Sequence, residues 1–197
     1  MVGGVVKVRL KKLATVRMGY SFRSRLEAVI DGDVAVIQMK DLSDDNTVCC
    51  DELIQIDMEA VKEHHLVRKG DLIFRSRGQE TTAAVLLNDP GKAVVAAPLL
   101  RIRIVKPDKI LPEYLNWYIS QRDAQIFLTS RAMGTSQKMI SKESLEELEV
   151  PLPALERQKN IAEMALLSKR ERILLHKLGE QRERYISTLL MQFAKGE

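Results

Sequence analysis

Disulfide frameworks, membrane spans and nucleotide fingerprints are all missing from this sequence. Only two cysteines occur in 197 residues, and they are neighbours, Cys49 and Cys50. Adjacent cysteines rarely bridge, and no set of spaced cysteines accompanies them, so a reducing compartment is expected. No apolar run approaches membrane length, and Val5 and Val6 make too short a stretch for a secretory h-region. A cytoplasmic protein without membrane contact follows as the expectation. Nor is there a glycine-rich loop of the kind that cradles a nucleotide, or a convincing pair of carboxylates with a lysine in a strand context, as a nuclease needs. The chain is therefore expected to be no enzyme and to carry no cofactor of its own.

Two groups of residues invite a metal and fail on spacing. Cys49, Cys50, His64 and His65 offer zinc-type ligands, but structural zinc ligands are spaced so that side chains converge, whereas vicinal pairs diverge. The simpler reading is a buried cysteine and a surface histidine at the end of a helix or turn. Asp41, Asp44 and Asp45 lack the glycine and terminal glutamate of a calcium loop, which leaves a plain acidic turn.

What is present begins with charge. The formal net charge is +4, which permits a nucleic-acid partner without requiring one. Its distribution is more informative, because Lys7, Arg9, Lys11, Lys12, Arg17, Arg23 and Arg25 occur with no acid among them, whereas 31–63 is dominated by acids. A polarised surface is expected.

In chain order, 10–16 mixes apolar and basic residues and fits a short helix or an edge strand equally. Gly19 to Arg25 has loop chemistry, with Tyr20 and Phe22 beside Arg23 and Arg25. Such groups stack on bases or fork onto guanine and phosphate; alternatively this is a solvated loop with Tyr20 or Phe22 tucked into the core. Val34 to Met39 is a β-branched apolar run of strand length. Leu72 to Phe74 reads as a strand, after which alternation puts Arg75 and Arg77 on one face, either as a second DNA contact or as charges guarding a sheet edge. The runs 83–88 and 93–97 flank Asp89, Pro90 and Gly91 and predict a hairpin. Residues 99–105 alternate, with Leu100, Ile102 and Ile104 on the core side and Arg101 and Arg103 facing outward. Pro112 opens a helix continuing towards Ser130, in which Tyr114, Trp117 and Tyr118 are packing groups.

Gly134 to Lys138 is a small, donor-rich turn in which Thr135, Ser136, Gln137 and Lys138 form a candidate phosphate clasp for the DNA backbone. Ser141 caps a short helix, with Ile140 and Leu145 at the positions of a hydrophobic staple. Val150 to Pro153 then enforces an extended step. Beyond it Met164, Leu167, Leu174, Leu178, Tyr185, Leu189 and Phe193 follow three- and four-residue steps, with Glu171 and Arg182 filling the gaps. A helix of this extent is about 60 Å long, too long for one compact domain to cover, so a partner helix is expected. Gly179 marks a candidate bend or close helix crossing. The fold class expected is mixed α+β: a globular domain of sheets and flanking helices over 1–153, followed over 154–197 by one long helix forming an intermolecular coiled coil.

Several stretches together resemble the type I restriction-modification specificity subunits. They are Gly134 and Thr135, then Ile140 and Ser141, Leu145, Leu148, Val150 to Pro153 and Gln158; upstream, Leu66 to Phe74 with its Lys69-Gly70-Asp71-Leu72 core, and Val8 to Leu13; and the ending Leu189 to Glu197. The resemblance implies a non-catalytic, DNA-reading subunit in half-size form, with one recognition domain and one long helix. Loops of the domain would read double-stranded DNA, with Tyr20, Arg23, Arg25, Arg75 and Arg77 as base or groove contacts, although the target cannot be transferred. It further implies a homodimer through the helix, reading a split symmetric site, and a modification (methyltransferase) subunit as partner, with a restriction subunit in restriction complexes. S-adenosylmethionine and ATP with magnesium would sit on those partners. The rival classes are a nuclease or methyltransferase with its own active site, disfavoured by the missing Asn-Pro-Pro-Tyr-like motif, and an adaptor whose basic surface is incidental.

Overall fold

The computed structural model describes residues 5–43, 46–78, 81–134 and 139–196. Its elements are β1 (Lys7–Arg9), β2 (Ala14–Met18), β3 (Val34–Ile37), β4 (Ile54–Ile56), β5 (Leu72–Phe74), β6 (Ala83–Val85), β7 (Ala93–Val95), β8 (Leu100–Ile104), α1 (Pro112–Ile119), α2 (Arg122–Ser130), α3 (Lys142–Glu146), β9 (Glu149–Pro151) and α4 (Leu155–Lys195). Short 3-10 turns at Leu10–Lys12, Met39–Asp41 and Glu63–His65 connect them. A mixed α/β domain followed by one long C-terminal helix is the result.

Four layers stack. Helices α1, α2 and α3 cover one face of a four-stranded sheet ordered β2-β8-β5-β6, burying Val16, Leu72, Phe74, Leu100 and Ile102 against Tyr114, Leu115, Leu128 and Leu145. The sheet's other face meets a three-stranded sheet, β4-β3-β7, through Ile73 and Ala84 on one side and Ala35, Ile37, Ala93 and Val95 on the other. Alternation along β3 turns Val34 and Val36 outward onto a third cluster, where Phe22, Leu26, Met58 and Leu66 cover them. Burial on both faces explains why β3 reads as a continuous apolar run rather than an alternating one.

Local signals around α3 act as read. Ser141 Oγ accepts from the Ser144 N–H at 3.1 Å, and Ile140 and Leu145 are both buried in the helical-side core. The extended step after α3 becomes β9, which pairs antiparallel with β1 in the register Val8 to Val150. Tyr114 and Tyr118 tie α1 to it, donating from their hydroxyls to the carbonyls of Pro151 at 2.8 Å and Glu149 at 2.9 Å. Burial pushes the Tyr114 phenol up to about 12.

Several local expectations are overturned. Residues 83–85 and 93–95 do not form a hairpin: β6 pairs with β5, while β7 crosses to the second sheet and runs parallel to β3. The turn at Asp89 to Gly91 joins two sheets, so its chemistry is correct and its consequence is not. The helix opened by Pro112 ends at Ile119, and α2 starts afresh at Arg122. The outward basic face expected of β8 is covered, since Arg101 is only 4% exposed and Arg103 is half-buried. Asp71 supplies the reason, because its carboxylate is buried and both arms of the Arg103 guanidinium reach it, at 2.7 and 2.6 Å. Neither cysteine is buried: Cys49 is exposed and Cys50 half-buried.

Helix α4 starts on the domain and leaves it. Gln158 is fully buried and Ile161 packs against the core, but from Glu163 on every described residue is exposed or half-exposed. At 41 residues the helix is about 60 Å long. It continues without a break through Gly179, where a Cβ would meet nothing within 4 Å.

Candidate nucleic-acid interface

One end of the four-stranded sheet collects the loops of interest. Met18 closes β2, Phe74 closes β5 and Leu100 opens β8, and the antiparallel register sets Met18 and Phe74 on either side of Leu100. Segments 19–27 and 75–78 therefore leave the same end. The first is pinned down at once: the Gly19 N–H donates to Leu99 O at 2.8 Å, the Tyr20 N–H to Val95 O at 2.6 Å, and Tyr20 O accepts from the Ala97 N–H at 2.9 Å. A Cβ on Gly19 would lie 2.7 Å from the carbonyl carbon of Ala96, so only glycine lets the loop approach this closely. In the second segment the Ser76 hydroxyl donates to Pro98 O.

The flanks of the candidate phosphate clasp reach the same region. Ile140 N–H donates to Ser76 O at 2.8 Å, and Met133 and Met139 exchange backbone bonds at 3.0 and 2.9 Å. Arg77 bridges Met139 from the sheet side. Gly134 has φ +103°, a left-handed conformation suited to glycine. Thr135, Ser136, Gln137 and Lys138 lie outside the described residues.

The base-reading candidates divide into two places. Tyr20, Arg23 and Arg25 line an open groove of about 1010 Å³ whose far wall is 56–60. Phe22 is half-buried on the outer core cluster, as the packing alternative requires, while Arg23 and Arg25 are exposed and make no ion pair among the described residues. The Tyr20 ring sits 4.8 Å from that of Phe22 and 5.3 Å, edge-on, from that of His65. Arg75 and Arg77 are elsewhere. Arg77 is exposed beside the clasp flank, whereas Arg75 donates to the carbonyls of Leu42 at 2.6 Å and Met39 at 3.4 Å, fastening the 39–42 turn.

A basic ridge that sequence reasoning missed adjoins the groove. Arg17 stands directly opposite Arg101 in the β2–β8 pair, and the 63–65 turn brings His64 and His65 next to them, their rings 4.2 Å apart. Burial, together with the charges of His64, Arg17, Lys62 and Arg101, pushes the His65 imidazole below its ordinary value. No local pattern announces this ridge, because its members come from separate segments.

On α4 the residues Met164, Leu167, Leu174, Leu178, Tyr185 and Phe193 are exposed, and Leu189 is half-exposed. Leu166, Leu175, Ile186 and Leu190 are exposed as well. The apolar surface is thus broader than the periodic stripe alone.

The family model for the type I restriction modification DNA specificity domain matches residues 3–180. The chain belongs to this family. A DNA-specificity domain is non-catalytic, and among the described residues no group of His, Cys, Asp or Glu is arranged to hold a metal ion. No helix among those residues is long and apolar enough to cross a membrane. Solved structures agree in fold. The HsdS subunit from Thermoanaerobacter tengcongensis is 19% identical with a TM-score of 0.62, the match covering 88% of this chain and 39% of that one. A structure concerned with complex assembly and conformational transition of the type I R-M system is 19% identical with a TM-score of 0.61, covering 88% and 40%. The type I S subunit from M. genitalium is 14% identical with a TM-score of 0.54, covering 87% and 41%. The specificity domain described here thus spans about two fifths of the length of these relatives.

Proposed function

We propose that the chain acts as a half-size specificity subunit, pairing with a second copy through α4 and directing a methyltransferase or restriction complex to a split, symmetric DNA site. The observation that carries this reading is the bare apolar face of α4 projecting from a head whose basic loops share one sheet end. Burying a large apolar side chain stabilises by roughly 1.5–3 kcal/mol, so leaving this face in water is costly and a matching helix relieves it. An isologous antiparallel pair places the two heads at opposite ends, which suits two half-sites related by a twofold axis. On this reading 1–153 is the recognition domain and 154–197 the dimerisation and spacer element.

Recognition, on the same reading, divides between two kinds of contact. Thr135, Ser136, Gln137 and Lys138 hold the DNA backbone, while Tyr20, Arg23, Arg25 and Arg77 reach bases or the groove wall. Arg75, committed to two carbonyls, contributes mainly by fixing the neighbouring turn. Methyl transfer and ATP-driven steps belong to partner subunits that hold S-adenosylmethionine and ATP.

Methylation mapping of cells with and without this protein tests the proposal, with a palindromic, interrupted motif expected to disappear in the deletion. Sedimentation of the pure chain should give a dimer at micromolar concentration. A monomer with and without DNA, or an unchanged methylome, overturns it.

A further inference from the structure

The ridge beside the groove is a built concentration of positive charge. Arg17 and Arg101 are direct cross-strand partners on the same sheet face, an arrangement that repels unless something offsets it. Asp71 is the nearest buried acid, and it is taken: both arms of Arg103 bind it, and its Oδ2 also accepts from the Arg68 N–H at 3.0 Å. Arg101 is 4% exposed, gives one N–H to Leu66 O at 2.7 Å, and keeps a buried Nε without a partner. Its charge is therefore fixed in a low-dielectric setting and only partly compensated. Above it, Arg17 is exposed and makes no ion pair with any described residue, and exposed His64 and half-buried His65 lie alongside.

We infer that Arg17, His64 and His65 form a contact site for a DNA backbone phosphate at the edge of the Tyr20 groove. This rests on the DNA-binding reading above and adds to it residues which neither the loops nor the clasp contain. A phosphodiester shares one negative charge between two non-bridging oxygens, which match the forked donors of Arg17 and an imidazole N–H. The anion balances the Arg17–Arg101 pair and sits next to Tyr20, whose ring already touches His65. A phosphate here holds the duplex while Tyr20, Arg23 and Arg25 address the adjacent bases.

Protonation is coupled to the contact. His65 faces Lys62, Glu63 and His64 along its own turn, Arg17 from β2, Arg101 from β8 and the Tyr20 ring; burial first, and then the charges of His64, Arg17, Lys62 and Arg101, disfavour its charged form in the free protein. A phosphate reverses that balance and raises the imidazole's pKa in the complex. Affinity then increases as the pH falls through the bound value and levels off below the free one.

The test uses the full chain and a mixed-sequence duplex, because phosphate contacts act on any sequence. Fluorescence anisotropy over a salt series should show Arg17→Ala reducing the slope of log K against log salt by about 0.9 for the one phosphate lost, while Arg17→Lys retains the slope. Imidazole proton resonances give an independent readout, since the chain has only three histidines and His176 on α4 serves as internal reference. Duplex should raise the pKa of His65 and leave that of His176 unchanged. Binding with an unaltered slope in Arg17→Ala and an unmoved His65 overturns this site and spares the DNA reading. Failure of the wild-type chain to bind any duplex overturns both.

Discussion

Gln158 Oε1 accepts a hydrogen bond from the backbone N–H of Leu111 at 3.0 Å, so that the first turn of α4 holds the residue on which α1 begins. The same side chain donates from Nε2 to the carbonyls of Lys109 and Pro153, each at 2.8 Å. A single, fully buried amide thus satisfies three backbone groups and fixes the angle at which the rod leaves the head.

Replacing Gln158 by Ala strands those groups in the interior. A loss of about 2–3 kcal/mol is expected from the unmade hydrogen bonds, measured by urea unfolding. Gln158→Glu should also destabilise, since a carboxylate cannot donate to the two carbonyls. Because the rod is long, a tilt of about 5° at this anchor displaces its far end by about 5 Å, so on the proposed split-site reading the variant should also broaden the spacing tolerated between half-sites.

Asp71→Ala should be more damaging than any surface change. It removes the acid beneath Arg103 and leaves two neighbouring guanidinium groups, those of Arg101 and Arg103, without their buried carboxylate. Breaking a buried pair from one side costs about 3–5 kcal/mol. Asp71→Asn, which still accepts from the Arg68 N–H, should lose less; equal losses in chemical denaturation would place the effect in the ion pair and not in that turn.

Leu174→Glu combined with Leu178→Glu places charge on the exposed apolar face of α4 without touching the head. The pair should convert a dimer into a monomer in sedimentation while head stability changes by less than about 0.5 kcal/mol. DNA binding should persist but weaken, as two linked heads become two independent ones.

Acid sensitivity should trace in part to Glu147. Lys11 donates to its Oε1 at 2.5 Å and Arg9 lies 3.1 Å from Oε2, holding the carboxyl below its ordinary value of 4.5. A depressed carboxylate contributes stability that is present above 4.5 and is lost as the pH falls through the lowered value. Glu147→Gln should flatten this part of the acid limb in a pH series of thermal melts. High salt should blunt the difference, since the groups are partly exposed.

What could be read from the sequence divides along the distance of the interactions. The capped α3, the extended step at β9 and the rod were legible because caps, prolines and three-to-four spacing act over a few residues. The fate of β7 was not, since its parallel partner β3 lies far upstream and the intervening turn looks like any hairpin turn. In β8 the alternation and the core side were right and the exposure of the basic face was wrong, because the acid that holds Arg103 stands in another segment. Of the candidate DNA contacts, Tyr20, Arg23 and Arg25 do come together, Arg75 turns inward to carbonyls, and the Arg17 and histidine ridge exists only once three segments are folded side by side.

Because the loops after Met18 and Phe74 spring from strand ends already locked into the ladder, their residues beyond the anchored Gly19, Tyr20 and Ser76 can be rewritten without disturbing a rung. On the proposed reading, new target preferences would accumulate at the tips while the chassis beneath and the rod behind it stay as they are.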